Sequence, residues 1–371
     1  MSHSFLPPSG AAAWSRCSLW PTMNKTYHST DTPESVEGTA AHWVLTEELH
    51  GRQILEGSKT PDGVIVTGEM VEGAELASDA VFARLKGSTV IHTEETVSIS
   101  AIHEDCFGTP DAWAFDAPRM HLDIWDYKYG HGYVDEYFNP QGICYLLGIL
   151  DLIEPTIPGD VSNVTVSFTI IQPRCYVGAS SVRTHTFRVS ETLPHLARLK
   201  TAASAAYEAL PAATTNEECD YCPGRHACTA LQQSAYRAAE ISNNRIPLEL
   251  TPAAASLELR MLERAQEQLN ARVDGLREQT TANLSAGKFV PHHSLVSGRG
   301  KRVWTKTPEE IFTLGELFGK DLRKITPMTP TQAEKYIDRD VITGYIESIP
   351  GAQKLTPQNN DNVRRVFGAG E

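Results

Sequence analysis

Apolar residues recur at helical spacing in several stretches of the chain. The spacing predicts helices over residues 35–55, 67–85, 139–153 and 190–210. A longer amphipathic stripe predicts a further helix over residues 251–286. A stripe of this kind is more typical of a packing seam between helices than of a partner site.

Between residues 89 and 130 the pattern changes to an alternation of apolar and polar positions. Three stretches rich in β-branched and aromatic residues, 89–100, 105–116 and 121–130, predict strands joined by turns that contain Gly, Pro and Asp. Two more strands are predicted, one that Pro173 ends and one over residues 184–189. The order of helices and strands predicts an α/β fold, with a mixed sheet that includes an antiparallel meander and is flanked by helices.

The chain has 371 residues, a length that suits two domains. A polar segment near residue 245 coincides with a shift in charge: residues 1–244 contain 15 Lys+Arg and 30 Asp+Glu, whereas residues 245–371 contain 18 and 16. We therefore predict one domain over 1–244 and a mainly helical C-terminal region over 245–371, with a long helix, a basic strand and short helices. The ordinary composition, 41% hydrophobic, excludes a disordered or collagen-like chain.

Several features predict a cytoplasmic protein with no membrane partner. No apolar run approaches the roughly 18 to 20 residues that span a bilayer. The amino terminus lacks the basic and apolar regions of a signal peptide. In a reducing compartment, the seven cysteines are better interpreted as metal ligands, redox groups or core residues than as disulfides.

The most informative segment for chemistry is Gly108-Thr-Pro-Asp111, followed fifteen residues later by Asp126-Tyr-Lys128. Because side chains alternate along a strand, Asp126 and Lys128 point to the same side, and an adjacent strand can bring Asp111 beside them. Two clustered carboxylates repel each other unless a cation lies between them, and oxygen ligands suit Mg²⁺ or Mn²⁺. With a lysine to stabilise developing negative charge, the segment predicts a site for phosphodiester hydrolysis.

Three further residues accompany this pair of motifs. Gln141 and Tyr145 lie at i and i+4 on a predicted helix and so share one face, and His42 lies on the first predicted helix. Taken singly, a core histidine, a capping glutamine and a packed tyrosine are the simpler interpretations. The joint order of His, G-T-P-D, D-Y-K and Q-x-x-x-Y is much harder to obtain by chance.

In this order the motifs resemble those of PD-(D/E)XK nucleases of the RecB type, with Asp126 as the second acid where many members have Glu. The resemblance implies a restriction-endonuclease-like sheet and metal-dependent DNA cleavage. It implies Lys128 as the catalytic lysine, with Gln141 and Tyr145 supporting the site and its DNA strand. The implied ligands of the Mg²⁺ or Mn²⁺ ion are His42, Asp111, Asp126 and the backbone carbonyl of Tyr127.

A cysteine motif follows the predicted sheet. Cys219, Cys222 and Cys228 form C-x2-C-x5-C, a spacing that lets three thiolates converge on one metal or cluster. The fourth ligand is either His226, which would complete a zinc site, or the distant Cys17. Spacing alone leaves zinc and an iron–sulfur cluster open. The remaining cysteines lie in strand or helix patterns and are predicted to be small buried core residues: Cys106, Cys144 and Cys175.

The cysteine pattern resembles that of RecB-type nucleases of the AddB kind and of those acting in CRISPR adaptation. These proteins carry one cysteine before the nuclease core and three after it. The resemblance implies a four-iron, four-sulfur cluster on Cys17, Cys219, Cys222 and Cys228, with a structural rather than a redox role. More narrowly, the start of the chain and its motifs resemble a phage and prophage family of RecB-like nucleases, with weaker similarity through the tail.

Together these features predict a phage-type DNA nuclease in the host cytoplasm, an exonuclease that processes linear DNA ends for recombination or replication. The alternatives are a non-catalytic DNA-binding or scaffold protein that keeps the fold, and a structure-specific endonuclease. A phage recombinase or single-strand-binding protein is the expected protein partner, and the sequence is compatible with an oligomer.

A basic segment in the last third is the candidate DNA contact outside the active site. It combines charges that neutralise phosphate with a ring that can stack on a base, and the alternative is a solvated basic turn with a packed Trp. The net charge of −13 predicts a modest and salt-sensitive affinity for DNA. The residues of this candidate contact are Arg299, Lys301, Arg302 and Trp304.

Overall fold

The structure of the chain is a computed structural model that describes residues 4–27, 32–85, 89–175, 180–241 and 250–295, and Thr313. The chain divides into two compact units, Met1–Leu295 and Val296–Glu371. Apart from Thr313, the second unit lies outside the described residues. The predicted basic strand and short helices therefore lie outside them too, as do the predicted DNA contacts: Arg299, Lys301, Arg302 and Trp304.

The predicted helices are confirmed within the described residues, with small shifts at their ends. Thr32, Thr67, Asn139 and Thr251 are N-caps whose side chains accept a backbone N–H from the first turn of their helices. The first predicted long helix ends earlier than expected, before Gly51, whose φ of 74° is typical of the residue that follows a helix. The α-helices are α1 (Ala11–Trp14), α2 (Trp20–Thr26), α3 (Pro33–Leu49), α4 (Gly68–Phe82), α5 (Pro140–Ile153), α6 (Leu193–Ala206), α7 (Thr229–Ile241) and α8 (Pro252–Ser285).

The predicted mixed sheet is also confirmed. The strands are β1 (Ile91–Thr93), β2 (Val97–Ser98), β3 (Phe107–Gly108), β4 (Ala112–Asp116), β5 (His121–Tyr127), β6 (Thr165–Ile171) and β7 (Val182–Arg188). Five of them form the mixed sheet in the order β1-β4-β5-β6-β7, and all neighbours are antiparallel except β5 and β6, which are parallel and joined through α5. A separate two-stranded sheet pairs β2 with β3.

Two of the predicted strands are each divided into two short ones. Between β1 and β2, Glu94 adopts a φ of 50°, which turns the chain out of the first strand. Between β3 and β4, Pro110 supplies no N–H for a ladder hydrogen bond. Both interruptions fall beside Asp111, at the same end of the five-stranded sheet.

Helices cover both faces of the large sheet. Helices α5 and α6 and the amino-terminal residues pack on one face, which β5 supplies with Leu122 and Ile124. Helices α3 and α4 pack on the other face, against Trp125 and Tyr127. Helix α5 lies very close to the sheet at Gly142, where an added Cβ would come within 2.6 Å of the Phe168 ring.

The long helix α8 packs on α7 and on the cysteine segment. Arg272 donates a hydrogen bond to the carbonyl of Arg225 at 3.3 Å, and a Cβ at Gly275 would come within 2.9 Å of the His226 nitrogen. These contacts place α8 in the first unit, so the border between units lies beyond the boundary predicted near residue 245. The apolar stripe predicted as a packing seam is largely exposed, with Met261 54% and Val273 41% exposed. The residues that α8 buries are others: Gln268, Ala271 and Gly275. None of the described helices is long and apolar enough to cross a membrane.

Candidate functional site

The acids of the two motifs meet where β4 and β5 come together. The antiparallel register pairs Ala112 with Trp125, and one further step brings Asp111 level with Asp126. Asp126 is 2% exposed. The Tyr127 N–H donates to Asp111 Oδ2 at 2.6 Å, which fixes the orientation of that carboxylate. The role predicted for the Tyr127 carbonyl stays a prediction.

His42 reaches Asp111 from α3, across the end of the sheet. Its Nδ1 lies 3.0 Å from Asp111 Oδ1, and its ring packs edge-on against Tyr127 with 5.3 Å between ring centroids. Burial acts against the charged form of His42, but the charge and hydrogen bond of Asp111 outweigh it and raise the pKa of His42. Burial likewise disfavours the Asp111 carboxylate, yet the charge and hydrogen bond of His42, with Lys128, hold its pKa below the ordinary value.

The second acid belongs to a network that α5 completes. Lys128 Nζ lies 3.0 Å from Asp126 Oδ2 and donates to Gln141 Oε1 at 2.9 Å. Gln141 Nε2 donates to Asp126 Oδ1 at 2.9 Å and to the Tyr145 hydroxyl at 3.2 Å. Asp126 and Lys128 thus point to the same side of the sheet, and Gln141 and Tyr145 share one face of α5.

The charges in this network are arranged to hold a proton on the lysine. Burial first, and then the nearby charge of Asp111, raise the pKa of Asp126, although Lys128 acts in the opposite direction. Burial acts to lower the pKa of Lys128, but Asp126 and Asp111 outweigh it, so the pKa is raised and the ammonium form persists at neutral pH. The site therefore combines two close carboxylates, whose mutual repulsion a cation would relieve, with a permanent positive charge.

One acidic residue of the site is absent from the sequence prediction. Donor atoms of His42, Glu94 and Asp111 all lie within 4.8 Å of one another, an arrangement that could hold a metal ion. The Glu94 N–H donates to the Asp111 carbonyl at 3.3 Å, and Thr46 Oγ1 donates to Glu94 Oε1 at 3.5 Å. Loss of surrounding water, and then the charge of Asp111, raise the pKa of Glu94. No signal in the local sequence marks Glu94, which lies beside Asp111 because β1 pairs with β4.

The four cysteines predicted as ligands line a single pocket. Cys17 enters it from the turn between α1 and α2, and Cys219, Cys222 and Cys228 enter it from the segment before α7. His226 is not among the residues that line this pocket, and its ring packs edge-on against Tyr27 with 4.7 Å between centroids. Of the two candidates for a fourth ligand, Cys17 is thus the one that lies with the other three thiols.

The sulfur atoms in this pocket have weak protein partners. The Thr214 N–H donates to Cys17 Sγ at 3.5 Å, and the Asn216 N–H donates to Cys219 Sγ at 3.4 Å. Burial and the neighbouring thiols raise the pKa of Cys222 to about 11.

The prediction for the other cysteines is confirmed, since all three are buried: Cys106, Cys144 and Cys175.

Residues 3–363 match the family described as "Protein of unknown function (DUF2800)". The chain belongs to the DUF2800 family. No curated protein matches this DUF2800 sequence.

Among solved structures, the DUF2800 chain is similar to a phage-related exonuclease from Haemophilus somnus 129PT. The identity is 13%, the match covers 52% of this chain and 92% of that one, and the TM-score is 0.21.

Proposed function

We propose that the chain is a metal-dependent DNA nuclease. The observation that carries this proposal is one site formed by six residues from four separate segments, in two hydrogen-bonded groups that the Tyr127 N–H links through Asp111. Each of these residue types suits phosphodiester hydrolysis, and none of the four segments could form the site alone. The six residues are His42, Asp111, Asp126, Lys128, Gln141 and Tyr145.

The donor set fits a hard divalent cation such as Mg²⁺ or Mn²⁺. His42, Glu94 and Asp111 lie close enough together to hold it, and Asp126, level with Asp111 on the neighbouring strand, and the Tyr127 carbonyl would supply further oxygen ligands. When bound, such a cation polarises a phosphodiester and acidifies a water molecule.

The protein's own groups supply the remaining functions. The Lys128 ammonium stabilises negative charge that develops on a phosphoryl oxygen. Gln141 holds Lys128 and Asp126 at fixed positions, and Tyr145 holds Gln141. This preorganisation matters because a site built from charged groups loses activity when they shift by even about 1 Å.

Within this proposal we assign the site to the RecB type of the PD-(D/E)XK superfamily, acting as a phage exonuclease on linear DNA ends in the host cytoplasm. A phage recombinase or single-strand-binding protein would use the processed ends. The basic segment Arg299–Trp304 would supply further DNA contacts. We also assign a four-iron, four-sulfur cluster to the pocket of Cys17, Cys219, Cys222 and Cys228, supported by the common pocket that the four thiols line.

A cleavage assay with end-labelled linear DNA and Mn²⁺ tests the catalytic proposal. We expect Lys128→Ala to lower the initial rate by about 10²- to 10³-fold, because it removes the charge that stabilises the transition state. Lys59→Ala, at an exposed lysine outside the site, is the matched control and should cleave as the wild type does.

The outcomes of this assay separate the alternatives. If wild type and Lys128→Ala leave the DNA equally intact over a range of metals and salt, the catalytic proposal is wrong. DNA binding without cleavage would favour the scaffold alternative. Cleavage of circular or branched DNA at internal positions would favour an endonuclease. Cleavage of RNA but not of DNA would show that the substrate is RNA.

A further inference from the structure

The loop between β5 and α5, residues 128–139, has no helix or strand, yet its backbone is held by two buried side chains. Gln172, which is fully buried, donates to the carbonyls of Gly130 at 3.0 Å and Gly132 at 2.5 Å, and accepts from the Val134 N–H at 3.3 Å. Arg183, 9% exposed, donates to the Val134 carbonyl at 2.8 Å and to Gln172 Oε1 at 2.9 Å. Buried polar groups with this many partners define one conformation for the loop.

The rigid loop presents two tyrosine rings to solvent. Tyr133 is 43% exposed, and the Arg183 guanidinium lies over its ring at 4.7 Å from the centroid. Tyr137 is 39% exposed, and its ring packs against those of Phe138 and His185, with centroids 4.9 Å and 4.4 Å away. Each ring thus packs against neighbouring side chains and is partly exposed.

A third exposed tyrosine reaches the same loop from the cysteine segment. Tyr221 lies between Cys219 and Cys222 and is 80% exposed. A side chain added at Gly132 would come within 4.0 Å of the Tyr221 hydroxyl. The three rings of Tyr133, Tyr137 and Tyr221 will be called the tyrosine surface.

The position of the tyrosine surface indicates its ligand. The loop begins at Lys128 and leads into Gln141, so it borders the proposed phosphodiester site on both sides. Exposed aromatic rings stack on bases with little regard to sequence, but only where base faces are uncovered, as in a single strand or at an end. We propose that the tyrosine surface binds the unpaired bases of a nucleic-acid strand whose phosphates enter the site at Lys128, an inference that depends on the proposed function for the identity of the strand.

The charges around the surface predict how this binding responds to salt. Glu136 lies 3.4 Å from the guanidinium of Arg183, so the cation that supports the Tyr133 ring is already paired with an acid. The tyrosine surface therefore contributes stacking rather than phosphate neutralisation. Loss of its rings should weaken binding while the dependence of affinity on salt stays unchanged.

Fluorescence anisotropy of the full chain with a labelled oligothymidylate, in EDTA to prevent cleavage, tests the inference. We expect Tyr133→Leu combined with Tyr137→Leu to weaken binding at least tenfold, with the same salt slope as the wild type. Tyr133→Phe combined with Tyr137→Phe keeps both rings and should bind within about twofold of the wild type. Tyr236→Leu, at a 60% exposed tyrosine on α7, controls for the loss of any surface ring.

Several results would overturn the inference. They are wild-type affinity in the leucine variant, a loss in the phenylalanine variant as large as in the leucine variant, or no binding of the oligonucleotide by the wild type. An unchanged melting temperature shows that a weaker variant is folded. If the wild type cleaves DNA while the leucine variant binds normally, the tyrosine surface alone is wrong. If ring-dependent binding is present without cleavage, the proposed catalysis alone is wrong.

Discussion

The acidic site at the end of β5 and the cysteine pocket are both assembled from distant segments, but they differ in what holds them together. In the acidic site every charged group already has a protein partner: Asp111 has His42 and a backbone N–H, and Asp126 has Lys128 and Gln141. In the cysteine pocket two of the sulfurs, weak acceptors, accept one backbone N–H each, at 3.4 and 3.5 Å. The first site can keep its shape without a ligand, whereas under our proposal a group bound between the thiols stabilises the second.

The ion pairs that join the amino-terminal segment to the cysteine segment are exposed. Arg16 pairs with Glu217 and, at 3.5 Å, with Glu218, which joins the amino-terminal segment to the cysteine segment. Arg16 is 45% exposed, and exposed ion pairs contribute about 1 kcal/mol or less. Removing a bound group should therefore destabilise this region, while removing the divalent cation from the acidic site should abolish activity and leave the fold intact.

The largest expected effect follows from removing two thiols with Cys219→Ser and Cys222→Ser. Because binding of a metal group to a preformed thiol site stabilises the folded state, we expect the free energy of unfolding to fall by several kcal/mol. Anaerobic wild-type protein should be brown, with broad absorbance near 400 nm that the double variant lacks. Thermal unfolding and limited proteolysis of the amino-terminal segment and α8 measure the loss.

Cys144→Ala is the control for this experiment, since Cys144 is buried away from the pocket. It should keep the colour and lose only the small stability that a cavity costs. Colourless wild-type protein with stoichiometric zinc would overturn the cluster assignment. An unchanged unfolding free energy in the double variant would remove the contrast between the two sites.

A smaller effect is expected at Glu94. If the acidic site keeps its shape without a ligand, a change at Glu94 should alter the metal requirement and leave the fold unchanged. Glu94→Gln removes one charged oxygen beside His42 and Asp111, so the Mn²⁺ concentration for half-maximal cleavage should rise by about 10- to 100-fold. Glu95→Gln is a close control, because Glu95 pairs with His92 instead. Equal metal requirements in the two variants would show that Glu94 is not a ligand.

Some parts of the fold and site follow from local spacing. The alternation of β5 puts Asp126 and Lys128 on one side of the sheet, and the i, i+4 spacing puts Gln141 and Tyr145 on one face of α5. N-caps such as Thr67 and Asn139 begin their helices for local reasons as well. Each of these features depends on residues a few positions apart, so it can be predicted from the local sequence pattern.

Other parts depend on pairings between segments that no local pattern specifies. Glu94 lies beside Asp111 because β1 pairs with β4, and its own surroundings, Thr-Glu-Glu-Thr, are those of an ordinary polar turn. The hydrogen bonds that Gln172 and Arg183 donate to the loop after Lys128 are likewise long-range contacts. The docking of α8 on the cysteine segment is another, and it places the unit border beyond the charge shift near residue 245.

The smallest expected effect tests whether Tyr145 supports the acidic site or takes part in its chemistry. Tyr145→Phe removes a hydroxyl that accepts one hydrogen bond from Gln141, at a cost of about 1 kcal/mol. Gln141 keeps its bonds to Asp126 and Lys128, so the cleavage rate should fall less than tenfold, which initial rates at saturating Mn²⁺ would measure. Tyr207→Phe, which loses a hydroxyl bonded to Asp105 outside the site, should leave the rate unchanged. A hundredfold loss in Tyr145→Phe at unchanged stability would mean that the hydroxyl acts on the substrate itself, and that the acidic site is not the self-supporting network that distinguishes it from the cysteine pocket.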